Sequence, residues 1–180
     1  YHDIGKPIVR LVDLEGNTTF YLHEKKSAEL ARNIMERLKF PGRTTKEVCH
    51  LIENHMFYYE SCWTDAVVRL FIGRVGSGNL ENLFLLRYAD SWAITGVKAS
   101  RDILDELKCR IKKILDIGDA LSIKDLAING NDLQKEGIKP GPAIGSILNE
   151  LLETVLDYPS MNTKTHLLEI SKQIIQSRYA

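Results

Sequence analysis

The chain has little of what would place it outside the cell or in a membrane. Only 3 cysteines occur among 180 residues. Cys49, Cys62 and Cys109 form an odd set whose separations suit neither a disulfide framework nor paired zinc ligands. They read as reduced thiols in a cytoplasmic protein. No run approaches the roughly 20 apolar residues of a membrane span, and no charged-then-apolar leader opens the sequence. Net charge is lacking as well: 24 basic side chains face 24 acidic ones, 12 of each in residues 1–90 and 12 of each in 91–180. That excludes a strongly basic, sequence-blind nucleic-acid binder, whose affinity scales with the phosphates it neutralises. A localised RNA site survives the same test. With 44% hydrophobic residues, the composition is that of a soluble globular protein of one sizeable domain or two small ones. The opening Tyr1-His2-Asp3-Ile4-Gly5-Lys6-Pro7 has no initiator methionine and reads as the interior of a longer polypeptide.

Helical periodicity dominates from Glu24. Ala28, Ala31, Ile34, Met35 and Leu38 share one face until Pro41-Gly42 breaks the run. A second helix starting near Thr45 carries Val48, Leu51, Ile52, His55 and Met56 on its apolar stripe. A third spans Asp65 to Val75 and ends at Gly76-Ser77-Gly78. The fourth, from Asn79 to about Thr95, places Asp90 on the same side as Leu83 and Leu86. A long amphipathic helix from Ser100 to Ile117 follows, with Leu104, Leu107, Ile111 and Ile114 on one side. Shorter pieces punctuated by glycine and proline lead to a helix containing Ile147, Leu151 and Val155, ended by Pro159. Asn162 is the expected N-cap of the last helix, whose face includes Leu167 and Ile174. Before Glu24, Ile8 to Val12 and Thr18 to Leu22 flank the turn signal Glu15-Gly16-Asn17 and fit a loop or a small hairpin. The expected fold is all-α with room for that hairpin, with a boundary near Gly118.

The chemistry-bearing residues gather early. His2-Asp3 offers imidazole and carboxylate donors of intermediate hardness, suited to manganese, nickel, iron, zinc or magnesium. His23 sits at a loop-to-helix junction, His55 on an apolar face, and Asp90 on another. A carboxylate aimed at a core requires a cation or hydrogen bonds. Each has a plainer reading: His55 as a core histidine, and Asp90 paired with Arg69 or Arg87. His50 lies off its helix face and reads as surface, and His166 as a helix-start residue without chemical role. Cys49 and Cys62 read as small core fillers.

Two sets of motifs carry a family resemblance. His2-Asp3-Ile4-Gly5-Lys6-Pro7, Leu22-His23-Glu24, Leu51-Ile52-Glu53-Asn54-His55 and Tyr88-Ala89-Asp90 resemble, in order and spacing, the HD superfamily of metal-dependent phosphohydrolases. Asp125-Leu126-Ala127-Ile128-Asn129-Gly130-Asn131-Asp132-Leu133, with Gly137-Ile138-Lys139-Pro140-Gly141-Pro142, resembles the C-terminal region of bacterial tRNA nucleotidyltransferases of the poly(A) polymerase family.

The resemblance implies an HD-type domain over 1–117 and a smaller helical RNA-binding tail over 118–180. It assigns metal ligation to His2, Asp3 and Asp90, with His23 and His55 matching extra histidines that complete the site in some members. The first histidine of the full pattern would precede Tyr1, and Leu22 stands where glycine often precedes the second histidine. A divalent metal, with magnesium, manganese or nickel foremost, would activate water against a phosphomonoester or a 2′,3′-cyclic phosphodiester. Asp3 and Lys6 are the catalytic candidates, Lys6 for neutralising phosphate, with Arg10 second. Lys135, Gly137, Lys139 and Gly141 form the candidate RNA contact, with tRNA or another RNA as partner. ATP and CTP would belong to an upstream nucleotidyltransferase domain. The rival expectations are a non-catalytic RNA-binding or structural module, an oligomer surface, and a stand-alone HD phosphohydrolase.

Overall fold

The computed structural model describes residues 1–95 and 101–178. Among them the α-helices are α1 (Lys6–Val9), α2 (His23–Arg37), α3 (Gly42–Asn54), α4 (Asp65–Val75), α5 (Leu80–Thr95), α6 (Arg101–Ile117), α7 (Gly130–Lys135), α8 (Pro142–Asp157) and α9 (Lys164–Arg178). A two-stranded hairpin, β1 (Leu11–Val12) with β2 (Thr18–Thr19), accompanies them. The all-α expectation with one small hairpin therefore holds. The expected start of the long helix at Ser100 lies outside the described residues. The described helices include none long and apolar enough to cross a membrane.

Two compact units emerge, each from two stretches of chain: Tyr1–Tyr59 with Val75–Leu104, and Glu60–Arg74 with Asp105–Ala180.

In the first unit, Pro7 lies in the opening turn of α1, where its missing N–H costs nothing. That turn absorbs Ile8 and Val9, which the sequence suggests as extended, and leaves only two residues per strand. Leu11 faces Thr19 and Val12 faces Thr18, antiparallel. The Asp13 carboxylate accepts from the Glu15 and Asn17 amides and closes the loop. Small residues let α2 and α3 approach closely: Ala28 and Ala31 meet Cys49 and Ile52, and the Cys49 thiol donates to the Ala28 carbonyl. Met56 and Leu38, assigned to the apolar stripes, are exposed. Helix α2 ends with Lys39 at φ +57°, the Phe40 amide reaching the Met35 carbonyl and the Lys39 amide reaching that of Glu36. Pro41 does more than break the run. Its carbonyl accepts the Thr45 amide, so α3 starts at Gly42, three residues before the expected position.

The second unit has the larger core, with Leu126, Ile128, Leu133, Ile147, Leu151, Val155 and Leu167 all buried. The unusual string at 125–133 is a scaffold for it. Ser122 and Asp125 form one capping box, and Asn129 and Asp132 a second. Leu126 and Ile128 between them, and Leu133 after the second, are buried. Gly137, at φ +96°, ends α7 in a Schellman motif: Ile138 donates to Leu133 and Gly137 to Gln134. Gly141, at φ +155° and ψ −171°, precedes Pro142 in a region that only glycine enters freely. Asn162 does not cap α9. Its side chain instead accepts from the Ala127 amide at 2.8 Å and donates to the Asp125 carbonyl at 2.9 Å. The cap falls one residue on, at Thr163, whose hydroxyl accepts the His166 amide. Cys62, read as a core filler, is exposed. Arg69 pairs with Asp119 at 2.6 Å and donates to the Leu156 carbonyl, so it is committed elsewhere than to Asp90.

Two helical glycines make opposite predictions. A Cβ on Gly73 would collide with the Leu121 carbonyl oxygen, whereas one on Gly145 meets nothing within 4 Å. Gly73→Ala is expected to lower the unfolding free energy by about 1–3 kcal/mol. Gly145→Ala is expected to raise it by about 0.5–1 kcal/mol through helix propensity. Urea denaturation of both variants checks the pair.

Candidate metal centre

His2 and Asp3 occupy the turns leading into α1. Gly5 presses that segment onto α2: its amide donates to the buried Ser27 hydroxyl at 2.9 Å, and a Cβ there would stand 2.7 Å from the Ser27 nitrogen. Only a residue without a side chain allows this approach. His23 begins α2, and the chain reaches it through Leu22 at φ +58°. That left-handed conformation costs a non-glycine residue about 1–2 kcal/mol, which gives the leucine-for-glycine departure a physical meaning. His55 caps the C-terminus of α3 one residue beyond the helix and is buried. Asp90 comes from the last turns of α5.

These five side chains converge. His2 Nε2 lies 3.1 Å from Asp90 Oδ1 and 3.4 Å from Asp3 Oδ2. His23 Nε2 is 3.2 Å and His55 Nε2 3.7 Å from Asp3 Oδ1. Lys6 Nζ donates to Asp3 Oδ2 at 2.7 Å, and Arg87 stands 3.5 Å from Asp90 Oδ2. The arginine half of the plain reading of Asp90 is thus present beside the histidine contact. His2, Asp3 and His55 each bring a donor atom within 4.8 Å of the others.

Proton accounting makes the arrangement unusual. The carbonyls of Phe20 and Ile52 lie 2.9 and 2.7 Å from the Nδ1 atoms of His23 and His55. Each Nδ1 therefore carries a proton to donate, and in the neutral ring Nε2 presents a lone pair. Both Nε2 atoms face a carboxylate oxygen. Asp3 Oδ1 and His23 Nε2 are buried and make no hydrogen bond. Two acceptors held face to face need a cation or a proton between them. Imidazole nitrogens with carboxylate oxygens suit a divalent transition metal. The residues present therefore fit one.

Burial alone would raise the Asp3 pKa. The hydrogen bond from Lys6 and the charges of His2, Lys6 and His23 outweigh it and hold the carboxyl below its ordinary value. Desolvation pushes the His55 ring down, with His2 and His23 adding to the effect against the Ile52 carbonyl and Asp3. Both shifts favour the forms that ligate metals: carboxylate and neutral imidazole.

The remaining assignments fall elsewhere. His50 is half-buried rather than a surface residue, with Nε2 2.7 Å from the Val75 carbonyl. His166 contacts Thr163. Arg10 is exposed at the end of α1. Lys135, Gly137, Lys139 and Gly141 are exposed in the second unit and contribute nothing to the cluster. Sequence reasoning missed Gly5 and Ser27, whose role depends on a contact across 22 residues.

A part-buried group of three imidazoles and two carboxylates on a helical scaffold defines the class: an α-helical domain with a candidate metal-ligand cluster. The chain belongs to the tRNA nucleotidyltransferase domain 2 family, whose model matches residues 16–171. It is 30% identical over 158 residues to an A-adding tRNA nucleotidyltransferase of Deinococcus radiodurans, covering 84% of this chain and 35% of that protein. It is 32% identical over 154 residues to a CC-adding tRNA nucleotidyltransferase of Thermus thermophilus, covering 85% and 34%. A shorter stretch of 57 residues is 40% identical to a CCA-adding enzyme of Lacticaseibacillus paracasei, covering 32% of this chain and 14% of that enzyme. The chain spans about a third of the length of the first two relatives. No solved structure matches it.

The pH dependence follows from the His55 shift. Its pKa in the folded chain lies below the ordinary 6.5. As the pH falls below 6.5 the unfolded chain takes up a proton that the folded chain refuses, so stability is lost toward acid. Asp3, also depressed, extends the loss at lower pH. An NMR titration without metal is expected to place the His55 midpoint below 6.5. A midpoint at or above that value contradicts the assignment.

Proposed function

We propose that this chain is the portion of a tRNA nucleotidyltransferase lying outside its catalytic head, in a protein that matures RNA 3′ ends in the cytoplasm, and that its first part is an HD-type metal-dependent phosphohydrolase. The division proposed is 1–117 for the HD-type domain and 118–180 for the RNA-binding tail. The work of the whole protein, adding nucleotides from ATP with or without CTP, is inferred from the names of the relatives. What carries the phosphohydrolase reading is the buried, unpartnered pair of Asp3 Oδ1 and His23 Nε2.

His2, Asp3, His23, His55 and Asp90 are the proposed holders of a divalent ion, with manganese or nickel favoured by the histidine content and magnesium third. When bound, such an ion polarises a phosphoryl oxygen and supplies a water-derived nucleophile. The protein's own part is preorganisation. Carbonyls of Phe20 and Ile52 fix the tautomers of two histidines, Asp90 orients His2, and Gly5 anchors the segment that bears Asp3. Lys6 keeps donors beyond the one given to Asp3, and these are available to a phosphate at the cluster's edge.

Manganese is expected to raise the melting temperature of the chain by mass action on the folded state, and Asp3→Asn to abolish that shift. His23→Ala is expected to weaken binding at least about tenfold. With manganese or nickel present, a 2′,3′-cyclic nucleotide is expected to be hydrolysed by the unaltered chain and not by Asp3→Asn. Absence of both metal binding and turnover overturns the reading.

A second activity of the same chain, RNA contact, is supported by Lys135 and Lys139. Both are exposed, flank the glycine-bearing turn, and enter no ion pair among the described residues. Replacing both by glutamine is expected to weaken tRNA binding and to flatten the plot of log K against log salt by roughly one unit for each phosphate no longer neutralised. An unchanged slope in a salt-dependent gel shift removes these lysines from the interface.

A further inference from the structure

Helix α5 is built inside out. From Asn82 to Thr95 its charged residues are Arg87 and Asp90 alone. Asp90 turns inward to His2, with Arg87 paired beside it. Leu80, Leu83 and Phe84 are buried on that inner side, and the Phe84 ring meets Phe57 edge-on with centroids 6.0 Å apart. The outward face is the apolar one. Leu85, Ala89 and Trp92 follow at i, i+4 and i+7, which sets them in one stripe. Leu85 is 59% exposed and Trp92 63%, and Ala89 is exposed between them, with Asn82 and Ala93 exposed alongside. A helix that is apolar on every side is ordinarily surrounded. A stripe without charge that holds an aromatic anchor has the composition of an interface centre.

We infer that this stripe is the surface through which two copies of the chain associate, with their α5 helices antiparallel. The residue pattern is self-complementary. Leu85 lies four residues before Ala89 and Trp92 three after it. A two-fold axis beside Ala89 therefore sets Leu85 against the partner's Trp92 and, by the same operation, Trp92 against the partner's Leu85. That reciprocity is what an isologous contact requires. The small side chain of Ala89 lets the two helix axes close to about 8–10 Å.

Charge selects the same arrangement. The stripe ends at the exposed Glu81. An antiparallel pair holds its two Glu81 carboxylates at opposite ends, about 22 Å apart at 1.5 Å per residue, well beyond the roughly 8 Å screening length of physiological salt. A parallel pair would set them side by side. Positions 82, 85, 89, 92 and 93 hold no cation for an RNA backbone. One helix face offers about half of the roughly 800 Å² that each partner gives to a standard interface, which places the pair among weak, reversible complexes. A Kd of about 10–100 μM is expected.

Sedimentation equilibrium of the 180-residue chain is expected to move the mass from 20.5 kDa toward twice that value as concentration rises, over a range of about 1 μM to 1 mM that brackets the Kd. Ala89→Glu and Ala89→Arg each set two like charges beside the axis, and each is expected to weaken association at least about tenfold. An equimolar mixture of the two variants is expected to recover it, which a folding defect cannot produce. Ala89 is exposed, and circular dichroism verifies that both variants fold. A mass of 20.5 kDa at every concentration overturns the proposal. Association that both charged variants retain, or that their mixture fails to recover, overturns it as well. A Trp92 indole resonance that shifts with tRNA and not with protein concentration assigns the stripe to RNA and refutes the dimer.

Discussion

The geometry of the first unit turns on Asp3 Oδ1 and His23 Nε2, held 3.2 Å apart, out of water and without a hydrogen bond. As carboxylate and neutral imidazole they would separate if left to themselves, because each loses hydration and gains nothing from the other unless a proton or a cation lies between them. Several independent devices keep them together. Gly5 lies against Ser27, the Phe20 carbonyl holds the far side of the His23 ring, and Lys6 grips the second oxygen of Asp3. Such over-determination is expected where a local conflict is maintained for a ligand that resolves it.

Much of this is legible in the residue order. His2-Asp3 and Asp90 stand out because a carboxylate on a core-facing stripe requires a partner, and the structure supplies His2 and Arg87. Periodicity assigns His55 to the right surroundings for an incomplete reason: it lies just past its helix, and the Ile52 carbonyl secures it there. What stays hidden depends on contacts between distant stretches. No local pattern shows that Gly5 meets Ser27, that His50 reaches the Val75 carbonyl, or that Arg69 finds Asp119. The hairpin is ambiguous for a different reason. Pro7 starts a helical turn that consumes two β-branched residues, and propensity alone does not decide between the outcomes.

The glycine-studded string of the second half is distinctive as sequence and ordinary as mechanics. Its Asp, Asn and Gly residues supply two capping boxes and one Schellman turn, and its Leu and Ile residues fill a core. Family kinship is thus visible in residues that hold shape. The residues proposed to meet a ligand are the exposed lysines beside them and the cluster of the other unit. The family match over residues 16–171 begins after His2 and Asp3. Kinship and the metal-site argument therefore stand on partly separate residues.

The alternation of chain between the two units has a consequence for biosynthesis. Glu60–Arg74 leaves the ribosome before the acceptors for its buried arginine, Asp119 and the Leu156 carbonyl, are made. During translation Arg69 must wait, hydrated, while more than eighty further residues are added. A truncation after Leu104 would strand that arginine permanently. Excision of either unit as a recombinant fragment therefore calls for a circular permutation or a spliced linker, and a simple terminal deletion will not yield one.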